Sequence, residues 1–159
     1  QDNENRRTMI FISHRGNLNG LNPDRENSPS YILEAISDGF DVEIDVHWWR
    51  DGIWLGHDEP EWGVPMSFLE EIKDHIWIHC KNFAALTNLI DKGFRVFYHE
   101  KEQYTIINNG LIWAHNIDFV DDKCIIPLLS RESVLEYNQK TVYGICSDFV
   151  YDCKGKFHD

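Results

Sequence analysis

Two carboxylates, Glu43 and Asp45, stand two residues apart in the apolar run DVEIDVHWW (41–49). In an extended chain they project to one face, while Val42, Ile44 and Val46 project to the other. Two anions held side by side in apolar surroundings are costly unless a cation offsets them. A divalent ion that prefers oxygen ligands, Mg²⁺ or Ca²⁺, would do so. Ion pairs with Arg or Lys, or plain exposure on a half-buried strand, account for the same pattern. A dozen residues later His57-Asp58 closes the run IWLG, and upstream MIFIS ends in His14-Arg15-Gly16. Imidazole titrates near neutrality, so a pair of histidines can take a proton from a nucleophile and give one to a leaving oxygen, as phosphodiester cleavage requires. A lone histidine is otherwise a structural residue. Arg15 and Lys81 suit phosphate, as a planar bidentate donor and a point charge respectively, or either could neutralise Glu43 or Asp45.

These residues need elements that bring them to one place. The chain alternates short apolar runs with amphipathic segments. Strands are predicted at MIFIS, DVEIDVHWW, IWLGHD, IWIHCK, RVFYHE, LIWAHN, KCIIPLL and VYGICSDFV; helices at SYILEAISDGF, PMSFLEEIKDH, NFAALTNLIDKGF and RESVLEYNQ. The turn RDG (50–52) reverses the chain between the second and third strands. Connections that carry helices imply right-handed crossovers and a mainly parallel sheet. The predicted fold is α/β: a compact, partly degenerate (β/α) TIM-type barrel, with helices after residue 100 reduced to loops or single turns. An open doubly wound sheet is the alternative. In a parallel barrel the strands' C-terminal ends build the active face, and His14, Arg15, Glu43, Asp45, His79, Lys81, His99 and Glu100 all fall near such ends. Most of the six tryptophans belong to the core, but Trp48, just past the acidic pair, and Trp62, after His57, are placed to line a substrate pocket.

With 159 residues, the chain fits one domain over 9–159, preceded by a leader over 1–8. No stretch reaches the roughly 20 apolar residues of a membrane span, so a soluble protein is expected. A formal net charge of −12 argues against a nucleic-acid backbone as partner. Cys80, Cys124, Cys146 and Cys153 lack metal-finger spacing and are read as buried free thiols, which fits a reducing, cytoplasmic setting. The leader QDNENRRT has no initiator Met, and secretion stays open on that ground.

Taken together, SHRGN, REN-S, DGFDVEIDV, DG and WLGHD over residues 9–59 resemble the entry half of the glycerophosphodiester phosphodiesterase family. That pattern runs His-Arg-Gly, Glu-Asn-Thr/Ser, Glu-x-Asp before an Asp-Gly turn, then His-Asp. IWIHCK and YGICSDFV are weaker echoes of its third and closing strands. The wider superfamily includes phosphatidylinositol-specific phospholipases C and sphingomyelinase D-like enzymes. The resemblance implies a metal-dependent phosphodiesterase with a small substrate, glycerophosphodiester- or phospholipid-headgroup-like, cleaved by hydrolysis or by cyclisation. It implies His14 and His57 as the acid/base pair, Glu43 and Asp45 as ligands of one divalent metal, and Arg15 and Lys81 at the phosphate. Glu26 and Asn27 would order the first loop. Two departures stand out. The family's third ligand, a glutamate, is His79 here, which suits Mn²⁺ or Zn²⁺ better than Mg²⁺ or Ca²⁺, unless Glu100 or water takes its place. The family's insertion after His-Asp is also missing, which opens the site. An inactive phosphate-binding barrel is the alternative function.

Overall fold

The computed structural model describes residues 8–138 and 141–157; all of the expected leader except Thr8 lies outside the described residues. The elements run β1 (Ile10–His14), α1 (Pro29–Ser37), β2 (Asp41–Trp49), β3 (Gly52–Leu55), β4 (Trp62–Val64), α2 (Met66–Glu71), a 3₁₀ turn (Lys73–His75), β5 (Ile76–Cys80), α3 (Phe83–Leu89), β6 (Val96–Phe97), β7 (Tyr104–Ile106), β8 (Ile112–Ala114), β9 (Cys124–Pro127), α4 (Arg131–Glu136), β10 (Gly144–Ser147) and α5 (Val150–Phe157). Seven of these strands are parallel, in the spatial order β6-β5-β2-β1-β10-β9-β8. β3 and β4 extend the upper half of β2 as an antiparallel hairpin, and β7 runs antiparallel on the outer edge of β8.

The result is a mixed α/β protein whose sheet curls into a half-barrel. A fully closed TIM barrel is not observed: no ladder pairs β6 with β8 among the described residues. β6 is only two residues long, and Asn108 covers its open edge instead. The Asn108 amide donates to the Val96 carbonyl, and its side-chain oxygen accepts from the Val96 amide. Helices do thin out after residue 100, since β8 passes to β9 through a loop. Sequence reading missed two short strands, β4 and β7, and the final helix α5, which stands where DFV was read as the end of a strand.

Alternation along each strand divides the side chains into two sets. Val42, Ile44 and Val46 of β2 and Ile76, Ile78 and Cys80 of β5 face outward, against Ile32 and Ala35 of α1, Leu69 of α2 and Leu89 of α3. Facing inward, Ile12, Trp77, Phe97, Trp113, Ile125 and Cys146, from six parallel strands, pack with Ile107 into one buried layer. Burial at this scale is the main stabilising term, worth roughly 1.5–3 kcal/mol for each large apolar side chain. That inner layer is the floor of the site. All four cysteines are free and buried, as read from the sequence. No helix is long and apolar enough to cross a membrane among the described residues.

Candidate metal centre and active face

One pleat above the apolar floor the chemistry changes. Two residues after Ile12, Trp77, Phe97, Trp113 and Cys146 come His14, His79, His99, His115 and Asp148, so a period of two carries each polar side chain to the same concave face. Parallel register aligns them: His14 lies beside Glu43, and Asp45 beside His79. Glu43, Asp45 and His79 are buried, and each offers a ligand atom within 4.8 Å of the others.

The two carboxylates are not equivalent. Asp45 receives Asn27 Nδ2 at 2.9 Å and His79 Nδ1 at 3.0 Å, with Arg15 Nε at 3.2 Å as ion pair. Burial opposes its charge, but these three partners hold its carboxyl well below the usual carboxylate range. Glu43 has only His14 Nε2 at 3.6 Å and His79 Nδ1 at 3.9 Å, and its Oε2 is buried without a hydrogen-bond partner. Burial first, and the Asp45 charge second, push the Glu43 carboxyl up to about 7. Of the two, Asp45 is the stronger acid and Glu43 the weaker. A cation placed among these three residues would remove both costs, so the donor set fits a divalent ion. Its imidazole favours Mn²⁺ or Zn²⁺ over Mg²⁺ or Ca²⁺.

Asn27 fixes the acidic strand. Its side chain both donates to Asp45 and accepts from the Asp45 amide, and it does so from a left-handed backbone at φ 67° that asparagine tolerates. Arg15, also left-handed at φ 60°, receives the Asn27 amide on its carbonyl. Its guanidinium spans Asp45 and Glu26, and Glu26 in turn accepts from the Asn22 amide. In this structure the Arg15 guanidinium pairs with Asp45.

His14 is held by a residue that sequence reading left out of the site. Its Nδ1 donates to Asp148 Oδ1 at 2.8 Å, and Asn17 Nδ2 donates to the same oxygen at 2.8 Å. That bond fixes the tautomer and turns Nε2 toward Glu43. Burial lowers the His14 pKa, but the Asp148 bond and the Glu43 and Asp148 charges outweigh it, and the net shift is upward. His57 reaches the same rim through the β2–β3 turn, whose Arg50 and Asp51 both have positive φ, as a type I′ hairpin requires. The hairpin ladder continues as the Gly56 amide donates to the Asp45 carbonyl. Only glycine fits at 56, since a Cβ there would fall on the Glu59 carbonyl. His57 is part-exposed, with Nδ1 2.8 Å from Asp58 Oδ1. Burial and the nearby Arg15 charge set its pKa below the ordinary value.

Lys81 follows β5, its amide donating to the Val46 carbonyl, and its charge reaches both His57 and His99. Glu100 is turned away from the metal-ligating group: it accepts from Tyr98 Oη. Trp48 and Trp62 pack against the outer apolar cluster instead, so the structure does not bring them to the polar face. For Trp48 the reason is parity, because position 48 shares the face of Val46 and not that of Asp45.

Asp148, Asn17 and His115 were absent from the sequence-based site. A signal for His115 was present all the same: an aromatic residue, one spacer and a histidine recur at Trp77-x-His79, Phe97-x-His99 and Trp113-x-His115.

No protein-family model matches the chain, and no curated protein matches it. One solved structure resembles it, a "putative glycerophosphodiester phosphodiesterase from Galdieria sulphuraria", at 12% identity and a TM-score of 0.49, covering 95% of this chain and 98% of that one. At that distance the likeness carries no argument about activity.

Proposed function

We propose that the protein is a metal-dependent phosphodiesterase acting on a small phosphodiester of the glycerophosphodiester or phospholipid-headgroup class. The observation that carries this reading is the buried Glu43–Asp45–His79 group, with an unpartnered Glu43 oxygen, directly beside His14 Nε2. Glu43, Asp45 and His79 would hold the ion, which supplies positive charge to the phosphoryl oxygens when bound. Every proton movement falls to the chain's own residues.

The two histidines are driven apart in proton affinity, and that division suggests their roles. His14, whose proton affinity is raised by Asp148 and Glu43, is the acid. His57, lowered by burial and Arg15, is the base. His57 takes the proton from the attacking hydroxyl, water or a neighbouring hydroxyl of the substrate, as its oxygen bonds to phosphorus. The bond from phosphorus to the leaving oxygen breaks, and His14 Nε2 protonates that oxygen. Solvent then returns one proton to His14 and removes one from His57. Arg15 and Lys81 bind the phosphate by charge, Arg15 by turning part of its fork away from Asp45.

The test is turnover of a chromogenic aryl phosphodiester by chelator-stripped protein supplied with Mg²⁺, Ca²⁺, Mn²⁺ or Zn²⁺, with His14→Ala alongside. Metal-dependent turnover that the variant loses supports the enzyme. One feature favours a second reading, a phosphate-binding barrel: Arg15 and His79 already satisfy Asp45 within the chain. Calorimetric binding of a phosphodiester with no turnover under any of the four metals would select that reading.

A further inference from the structure

Beyond the acidic group, the same face carries two more imidazoles that the phosphodiesterase reading leaves unused. His99 lies just past β6 and His115 just past β8, two strands that share no ladder with each other among the described residues. The His99 ring stacks on His79 at 4.5 Å between centroids, and His115 lies tilted against His99 at 4.5 Å. Stacking fixes the His99 ring plane and aims its Nε2 at His115 Nε2, 3.4 Å away. A cavity of about 400 Å³ opens over the pair, lined also by Glu102, Gln103 and Asn116.

The separation discriminates between two explanations. An N–H donor meets an oxygen acceptor most often at about 2.9–3.0 Å, and the 3.4 Å between these two ring nitrogens is long by that standard. Two nitrogens bound to one tetrahedral ion at Zn–N distances of roughly 2.0–2.1 Å stand about 3.3–3.4 Å apart. The facing nitrogens meet no protein partner other than each other among the described residues. The Glu102 charge acts on both rings, although its carboxylate does not close a three-residue ligand group with them. One Glu102 oxygen accepts the Glu100 and Lys101 amides, which holds the side chain in the loop that walls the cavity.

We propose that His99 and His115 form a second metal site, a two-imidazole seat for a nitrogen-preferring ion of the Zn²⁺ class whose other positions are filled by water. The site needs no insertion and no partner chain. It joins the ends of β6 and β8, which share no ladder with each other among the described residues. It does not depend on the phosphodiesterase reading.

The experiment is a Co²⁺ titration of the chelator-stripped full chain, followed by visible absorption. Tetrahedral Co²⁺ bound through imidazole absorbs strongly, whereas an oxygen-rich octahedral site absorbs weakly. The expected result is two equivalents in the wild type, one of them giving the strong band. His115→Ala, an exposed position that should fold, loses the band and one equivalent. Glu43→Gln keeps the band and loses the other equivalent. A band that survives His115→Ala overturns the proposal, as does a folded wild type that shows no band. Loss of metal binding in Glu43→Gln alone, with the band going with it, would leave only the acidic site.

Discussion

Glu43 gives the sharpest test of the electrostatics, through Glu43→Gln in metal-free protein. The unfolded chain releases the Glu43 proton near the ordinary 4.5, whereas the folded protein holds it to about 7. Between those values the unfolded state binds fewer protons, so stability falls as pH rises through this window and the loss is complete above it. A shift from 4.5 to about 7, at 1.36 kcal/mol per pKa unit, corresponds to about 3 kcal/mol. Glutamine keeps the shape of the neutral acid and cannot ionise. The measurement is urea unfolding of both proteins, with chelator, at about pH 5 and about pH 8. The difference between variant and wild type should change by about 2.5 kcal/mol in the variant's favour between the two conditions, part of the shift lying below pH 5, with most other titrations cancelling. At an m value of about 1–3 kcal/mol/M that is roughly 1–3 M in urea midpoint. Adding Mn²⁺ at the higher pH should stabilise the wild type more than Glu43→Gln. A change of less than about 1 kcal/mol between the two conditions would refute the picture of a protonated Glu43 beside a charged Asp45.

Three further outcomes are expected. His14→Ala should lower turnover by roughly 10²–10⁴-fold, while Asp148→Asn, which replaces the charged acceptor for His14 Nδ1 by a neutral amide, should cost less and move the alkaline limb of the rate–pH profile to lower pH; an unmoved limb would mean that Asp148 does not tune His14. Exchanging His79 for Glu should shift the metal preference toward Mg²⁺ and Ca²⁺, read from relative rates with each ion, and an unchanged order would take His79 out of the ligand set. Asn27→Ala removes two buried hydrogen bonds to Asp45 and puts alanine at φ 67°, so urea unfolding should show a loss of about 2–4 kcal/mol; a loss under about 1 kcal/mol would show that the loop does not depend on it.

The local parts of this protein are written in its local sequence. A period-two apolar pattern sets β2 and places Glu43 and Asp45 on one face, because side-chain direction in a strand follows from neighbours alone. The RDG turn, the helices α1 to α4 and the buried thiols are legible for the same reason: each depends on residues a few positions apart or on the apolar character of its own run. What lies between distant segments is not legible in that way. Asp148 meets His14 across 134 residues, and only the pairing of β10 with β1 puts them together. The Arg15–Asp45 ion pair likewise depends on the left-handed turn after β1. Trp48 shows the opposite case, since its parity with Val46 was already in the sequence and assigns it to the outer face. The unequal charge of Glu43 and Asp45 belongs wholly to the tertiary structure, because proton affinity depends on burial and on which donors converge. So does the meeting of His99 and His115, which needs the sheet to curl until two strands that share no ladder stand side by side.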